Sequence, residues 1–157
     1  MRKIAAGILT LGLWLAGADA EEKAAARPPI LAEWHDNVTD AAQLPIEKFP
    51  WGTLQWVCNG KLSPGAAQTV GIARILPGQK NPVHFHPNCE EVLHVISGKG
   101  LHSFDGRTIE LHAGMTIRIP MGTKHNMVNT GSEPIVTLIS FSSGDRKTVF
   151  LEEKPTK

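Results

Sequence analysis

Three histidines and one glutamate stand at spacings that could build a metal site: His84, His86, Glu91 and His125. In an extended strand, residues two apart point to the same face, so His84 and His86 present their imidazoles side by side. Pro87-Asn88 then interrupts the strand and resets the alternation, which lets Glu91 face the same way on the next strand. His125 follows the turn Pro120-Met121-Gly122, from which a later strand can return one more imidazole to the same cavity. Three neutral nitrogens and a carboxylate suit a divalent first-row ion, and six-coordinate Fe or Mn would keep open positions for a substrate. A lone histidine would read as a hydrogen-bonded strand residue. The paired spacing, with a matching glutamate and a distant third imidazole, favours ligation.

The elements that must carry these side chains are short β-rich runs punctuated by turn residues. Leu54–Cys58 stops at Asn59-Gly60, and Thr69–Leu76 stops at Pro77-Gly78. Val83–His86, Val92–Ser97, Leu101–Phe104, Thr108–Leu111, Thr116–Ile119, His125–Asn129 and Ile135–Phe141 follow, with turn signals between them. That rhythm belongs to a β-sandwich or barrel, and no stretch keeps a helical period with caps. The fold class is all-β. A closed or sandwiched barrel is the economical way to hide so many strand edges.

Two segments around these residues resemble the paired motifs of the cupins. The stretch from Gly78 through His84, His86 and Glu91 to Gly98 is similar to the first, G-x5-H-x-H-x4-E-x6-G. Gly114, Pro120, Gly122, His125 and Asn129 are similar to the second, G-x5-P-x-G-x2-H-x3-N. The resemblance covers roughly residues 51–141 and implies a cupin-type jelly-roll β-barrel with a metal in its mouth. It implies His84, His86, Glu91 and His125 as the ligands. Glu90 is the rival carboxylate, and the gap to Gly98 selects Glu91. Met115 departs from the Asp common after the second-motif glycine, which bears on turn capping and not on ligation.

Other histidines take separate readings. Asp105-Gly106 suits a two-residue hairpin turn that pairs Phe104 with Arg107 and His102 with Ile109. One hairpin face is then His102, Phe104, Arg107, Ile109 and Leu111, the more apolar one, so His102 points inward. It is the candidate proton-transfer group beside the metal, with a hydrogen-bonded core histidine as the alternative. His112 falls on the wetter face with Glu110. His94 shares a face with Val92 and Ile96, opposite Glu91, which makes both sides of that strand largely apolar. A strand of this kind needs a second layer outside the barrel, supplied by the N-terminal arm or by a partner protomer, and a homodimer is expected. Cys58 and Cys89 are the two cysteines. Free thiols, a disulfide, and a thiolate near the metal are all compatible with their positions.

The remaining organisation is a signal segment at 1–20, an N-terminal extended arm at 21–50, a barrel at 51–145 and a C-terminal tail at 146–157. Arg2 and Lys3 precede an apolar run, Ile4–Leu15, and Ala18-Asp19-Ala20 has the small-x-small form of a signal-peptidase site. Cleavage after Ala20 would leave an exported, about neutral, periplasmic or secreted chain with no membrane attachment. Pro28, Pro29 and Pro45 keep the arm extended. Lys and Arg number 16 against 15 Asp and Glu, with no basic stripe, which argues against nucleic acid as a partner. Tyr is absent from the 157 residues, excluding a tyrosine general base.

The expected function is that of a metal-dependent enzyme acting on a small oxygen-rich molecule. By resemblance the reaction is of dioxygenase, decarboxylase or isomerase type, with His102 and Glu91 as proton-handling residues. Fe or Mn is the favoured ion, and Zn, Ni, Co or Cu would also suit the donors. The alternative is a non-catalytic exported module that binds a metal or a sugar. A cavity plugged by Phe85, Phe104 and Met127 would favour that alternative.

Overall fold

The computed structural model describes residues 34–151. The proposed signal segment and much of the arm lie outside the described residues. Among the described residues there are eleven strands: β1 Glu47–Phe49, β2 Gly52–Cys58, β3 Thr69–Ile75, β4 His84–Phe85, β5 Glu91–Ser97, β6 Lys99–Phe104, β7 Arg107–His112, β8 Thr116–Ile119, β9 His125–Asn129, β10 Ile135–Phe141 and β11 Val149–Phe150. They form two antiparallel sheets, one ordered β1-β2-β3-β10-β5-β8 and the other β11-β4-β9-β6-β7. Apart from a 3-10 turn at Ala41–Gln43, capped by the Asp40 carboxylate, the described elements are strands.

Strand alternation builds the interior. Along β5, Glu91, Leu93 and Val95 are buried and point at the facing sheet, and Ile135, Ile139 and Phe141 of β10 do the same. Leu111 and Met127 of the opposite sheet close the core against them. Gly98 is the corner at which the chain leaves one sheet for the other. Its φ is +81°, and a Cβ there would come within 2.8 Å of the Ile135 Cα and 2.9 Å of the Pro134 oxygen. At Asp105-Gly106 both residues have positive φ, 46° and 80°, as a tight hairpin turn of primed type requires.

The hairpin register is the one expected, with Phe104 opposite Arg107 and His102 opposite Ile109. Its inner face is narrower than expected. His102 and Leu111 are buried, but Arg107 and Ile109 are exposed, because β7 is the edge strand and has a neighbour on one side only. The barrel strands also run beyond 51–145. In the arm, β1 pairs with β2; in the tail, β11 pairs with β4. Both are two- or three-residue edge strands.

The expected outer layer over β5 is not supplied by the described part of the arm. Its side-chain hydrogen bonds to the barrel fall on β2: Thr39 donates to the Val57 carbonyl, and Gln55 donates to the carbonyls of Ala41 and Leu44. Val92 and Ile96 are 38% and 51% exposed, so among the described residues β5 is covered on one face. His94 on that outer face pairs with the Thr116 hydroxyl at 2.8 Å. Cys58 and Cys89 are both free, and burial is the first cause that raises the Cys89 thiol.

Candidate metal centre

Both sheets contribute to one cluster. His84 and His86 come from β4 and the residue after it, His125 from β9 beside them, and Glu91 from the start of β5 in the facing sheet. One possible donor atom from each of these four residues lies within 4.8 Å of the others. The Glu91 Oε2 is 3.1 Å from His125 Nε2 and 3.2 Å from His86 Nε2. The His84 ring lies 4.3 Å from that of His125 and 5.1 Å from that of His86, centroid to centroid. The four residues that the sequence singles out are therefore brought together.

What orients the imidazoles is backbone. His84 Nδ1 meets the Pro82 carbonyl at 2.8 Å, His86 Nδ1 meets the Lys147 carbonyl at 2.8 Å, and His125 Nδ1 meets the Thr123 carbonyl at 2.9 Å. A carbonyl can only accept, so each Nδ1 carries a hydrogen. In a neutral ring the Nε2 lone pair is then the free one, the arrangement in which histidine binds a metal. His86 Nε2 is buried, and although it lies near Glu91 it makes no hydrogen bond. An orphaned buried nitrogen among two imidazoles and a carboxylate is a donor set that fits a divalent first-row ion.

Electrostatics in the metal-free cluster agree with a charged carboxylate among imidazoles. Burial works against the charge on Glu91, yet its contacts with His125 and His86 hold the carboxyl at about 2. Burial also works against a charge on His125, but the hydrogen bond and charge of Glu91 raise its pKa above the ordinary value. His84 is lowered to about 4, first by burial and then by the neighbouring His125. Glu90 faces the other way. Its carboxylate is held on the surface by Arg118, at 2.6 Å from Nη2 and 2.9 Å from Nε.

His102 on β6 is fully buried, with its ring 5.8 Å from that of His125 and nearly parallel to it. Neither ring nitrogen has a hydrogen-bond partner. Burial lowers its pKa to about 4. The cluster and His102 share the wall of a cavity of about 340 Å³. Trp51, Leu54, Trp56, Leu93, Met127 and Phe150 are among the apolar lining residues; Phe85 and Phe104 take no part in it. The cavity is open, not plugged.

Sequence reasoning missed the segment after β10. Arg146 lines the cavity, with its guanidinium 4.4 Å from the Trp56 ring centre and 5.0 Å from that of Phe141. Lys147 provides the carbonyl for His86, the Thr148 hydroxyl lies 3.2 Å from the same His86 nitrogen, and Phe150 packs 5.9 Å from the His84 ring. The β-branched and aromatic pair Val149-Phe150 was the available signal for a strand here. No signal marked Arg146.

A two-sheet barrel with a three-histidine, one-carboxylate cluster at its cavity defines a class of metal-binding β-barrel. Residues 71–141 match the family model described as the cupin domain, and the chain carries a cupin domain over this segment. It is 34% identical over 74 residues to uncharacterized protein MJ1618 of Methanocaldococcus jannaschii, an alignment covering 47% of this chain and 59% of that one. It is 34% identical over 96 residues to polyketide synthase CurC of Streptomyces cyaneus, covering 61% and 62%. The chain thus spans less than two thirds of the length of these curated relatives. The solved oxalate decarboxylase of Lactobacillus farciminis, in complex with formate, superposes with a TM-score of 0.66 at 25% identity, covering 70% of this chain and 34% of that one.

Proposed function

We propose that the protein is a metal-dependent enzyme acting on a small oxygen-rich molecule, with His84, His86, Glu91 and His125 as the ligands of a divalent ion, Fe or Mn in preference to others. The observation that carries this reading is the cluster itself: three Nδ1-anchored imidazoles and a buried carboxylate at the wall of an open cavity. The ion supplies Lewis-acid or oxygen-activating chemistry when bound, in a reaction of dioxygenase, decarboxylase or isomerase type. The likeness to an oxalate decarboxylase supports decarboxylation within that group. His102, unpartnered and neutral, can take or return a proton at the cavity wall, and Glu91 is the second proton-handling group. The apolar walls keep bulk water from the bound molecule. An open cavity with an unpartnered histidine favours the enzyme over the non-catalytic metal- or sugar-binding module.

The test is elemental analysis of anaerobically purified chain beside the His84→Ala, His125→Ala double variant. Near-stoichiometric Fe or Mn that disappears in the double variant supports the reading and directs the substrate screen. Stoichiometric metal retained by the variant contradicts it.

Export is part of the same proposal, with cleavage after Ala20 and a mature chain beginning at Glu21; the intact mass of the exported protein checks it. A homodimer is proposed as well, supported by the exposed Val92, Ile96 and Leu138 on one sheet face. Sedimentation of the wild type against Ile96→Glu tests that face: a dimer that dissociates supports it, and an unchanged species contradicts it.

A further inference from the structure

Arg146 is a cation without a carboxylate at contact distance. The ion pairs among the described residues join Glu90 to Arg118 and Glu91 to His86 and His125, and none reaches Arg146. Among the described residues its one acceptor is the Thr148 hydroxyl, which receives a hydrogen bond from Nη1. The rest of its donor fork has no protein acceptor. Glu47 lines the same cavity but is exposed and lies beyond ion-pair range. Glu91 is engaged by two histidines, so it and Glu47 act on Arg146 through space and not by contact.

Half-burying a guanidinium carries a desolvation penalty, which burial also registers as a pull below its usual pKa range. The aromatic faces of Trp56 and Phe141 offset part of that penalty and hold the fork flat. A rigid, planar, unpaired guanidinium lining a ligand-sized cavity is a preorganised receptor for a carboxylate, which it can take through two parallel hydrogen bonds. The histidine–glutamate cluster lines the same cavity beside it. The Thr148 hydroxyl that Arg146 bonds is 3.2 Å from His86 Nδ1, and Phe141 packs against both side chains. The lining also includes the apolar Trp56, Leu93 and Met127. A small diacid would leave those surfaces unfilled. An acid with an apolar body covers them.

We propose that Arg146 binds the carboxylate of a small organic acid with an apolar body, placing that body against Trp56, Leu93 and Met127 in the cavity that Arg146 shares with the metal cluster. The assignment rests on the metal-dependent reading above for what the far end of the ligand meets. The guanidinium site itself is independent of the ion.

The experiment is titration of the full chain with cyclohexanecarboxylate and with its neutral isostere cyclohexanecarboxamide, followed through Trp51 and Trp56 fluorescence, in Mn-loaded and metal-stripped protein. The carboxylate is expected to bind on the order of tenfold or more tightly than the amide in both forms, the scale of a charge-assisted hydrogen-bonded pair. Arg146→Gln is expected to remove that preference while metal content, measured in parallel, is unchanged. A wild type that does not discriminate, or a folded Arg146→Gln that still does, overturns the proposal. Preference present only with Mn and untouched by Arg146→Gln overturns it too, since the carboxylate then sits on the ion. Preference that persists in protein unable to hold Mn sinks the metal reading and leaves Arg146 standing. Should Arg146→Gln fail to fold, Arg146→Lys decides: a fall in carboxylate affinity with the amide unchanged supports the site, and equal falls for both contradict it.

Discussion

The cavity has two walls built on different principles. One is the cluster of His84, His86, Glu91 and His125, where the chemistry lies in side chains and the strands set their spacing. The other is the segment from Gly144 to Phe150, where much of the contribution is backbone: the Lys147 carbonyl orients His86, and β11 adds a strand beside His84. The first wall supplies donors for an ion. The second positions one of those donors and brings in Arg146. The two walls therefore divide the work: the four side chains offer donor atoms, and the segment behind them orients His86.

That difference should show in the size of mutational effects. Replacing both His84 and His125 by Ala is expected to abolish stoichiometric metal. Truncating the chain before Arg146 leaves all four donors but strips His86 of its acceptor, so metal affinity should fall on the order of 10- to 100-fold, the usual cost of losing an orienting partner. Metal titration of the two proteins side by side measures the gap. If truncation is as damaging as the double variant, the two walls are not separable in this way.

Acid sharpens the contrast within the first wall. His84 and His102 have folded values of about 4, below the ordinary 6.5, so the unfolded chain takes up protons first. In metal-stripped protein their contribution is complete above about 6.5 and drains away as pH falls toward 4. Glu91, at about 2 against an ordinary 4.5, adds a second loss that begins near 4.5 and runs down toward 2, and the raised His125 is lost in the opposite sense as pH climbs. Thermal melts should therefore show Tm falling between these values. His102→Leu should flatten the fall.

A smaller effect is expected at the hinge of the second wall. A Cβ at residue 144 would collide with the Ala66 carbonyl oxygen, so Gly144→Ala must displace the turn that leads to Arg146. A loss of about 1–3 kcal/mol is expected, measured by denaturant unfolding. His112→Ala, on an exposed strand position outside both walls, should stay within about 0.5 kcal/mol of the wild type.

Legibility in the sequence followed the same division. The ligand set could be read because turn residues at Pro87-Asn88 and Pro120–Gly122 mark where the alternation restarts, and alternation determines which side chains face inward. The two motif strings then confirmed one another. His102 could be placed because Asp105-Gly106 fixes the hairpin register. The acceptor for His86 could not, since a backbone carbonyl at Lys147 has no residue identity to read. Nor could β1, which is too short to show a period, while β11 offers only the pair Val149-Phe150. The burial of β5 on both faces was inferred from composition alone, and composition does not say whether an apolar face is covered. Arg146 gains its meaning from Trp56 and Phe141, distant in sequence or on another strand, so only the folded chain reveals the stack.

Adjacent glutamates offer the most direct test of the central claim that inward-facing side chains from both sheets form the metal site. Glu91 is buried against His86 and His125, while Glu90 is paired on the surface with Arg118. Metal content should be determined for Glu91→Gln and Glu90→Gln purified and loaded side by side. The account predicts that Glu91→Gln loses the ion and Glu90→Gln keeps it in near-stoichiometric amount. Equal retention in both, or loss confined to Glu90→Gln, would contradict it.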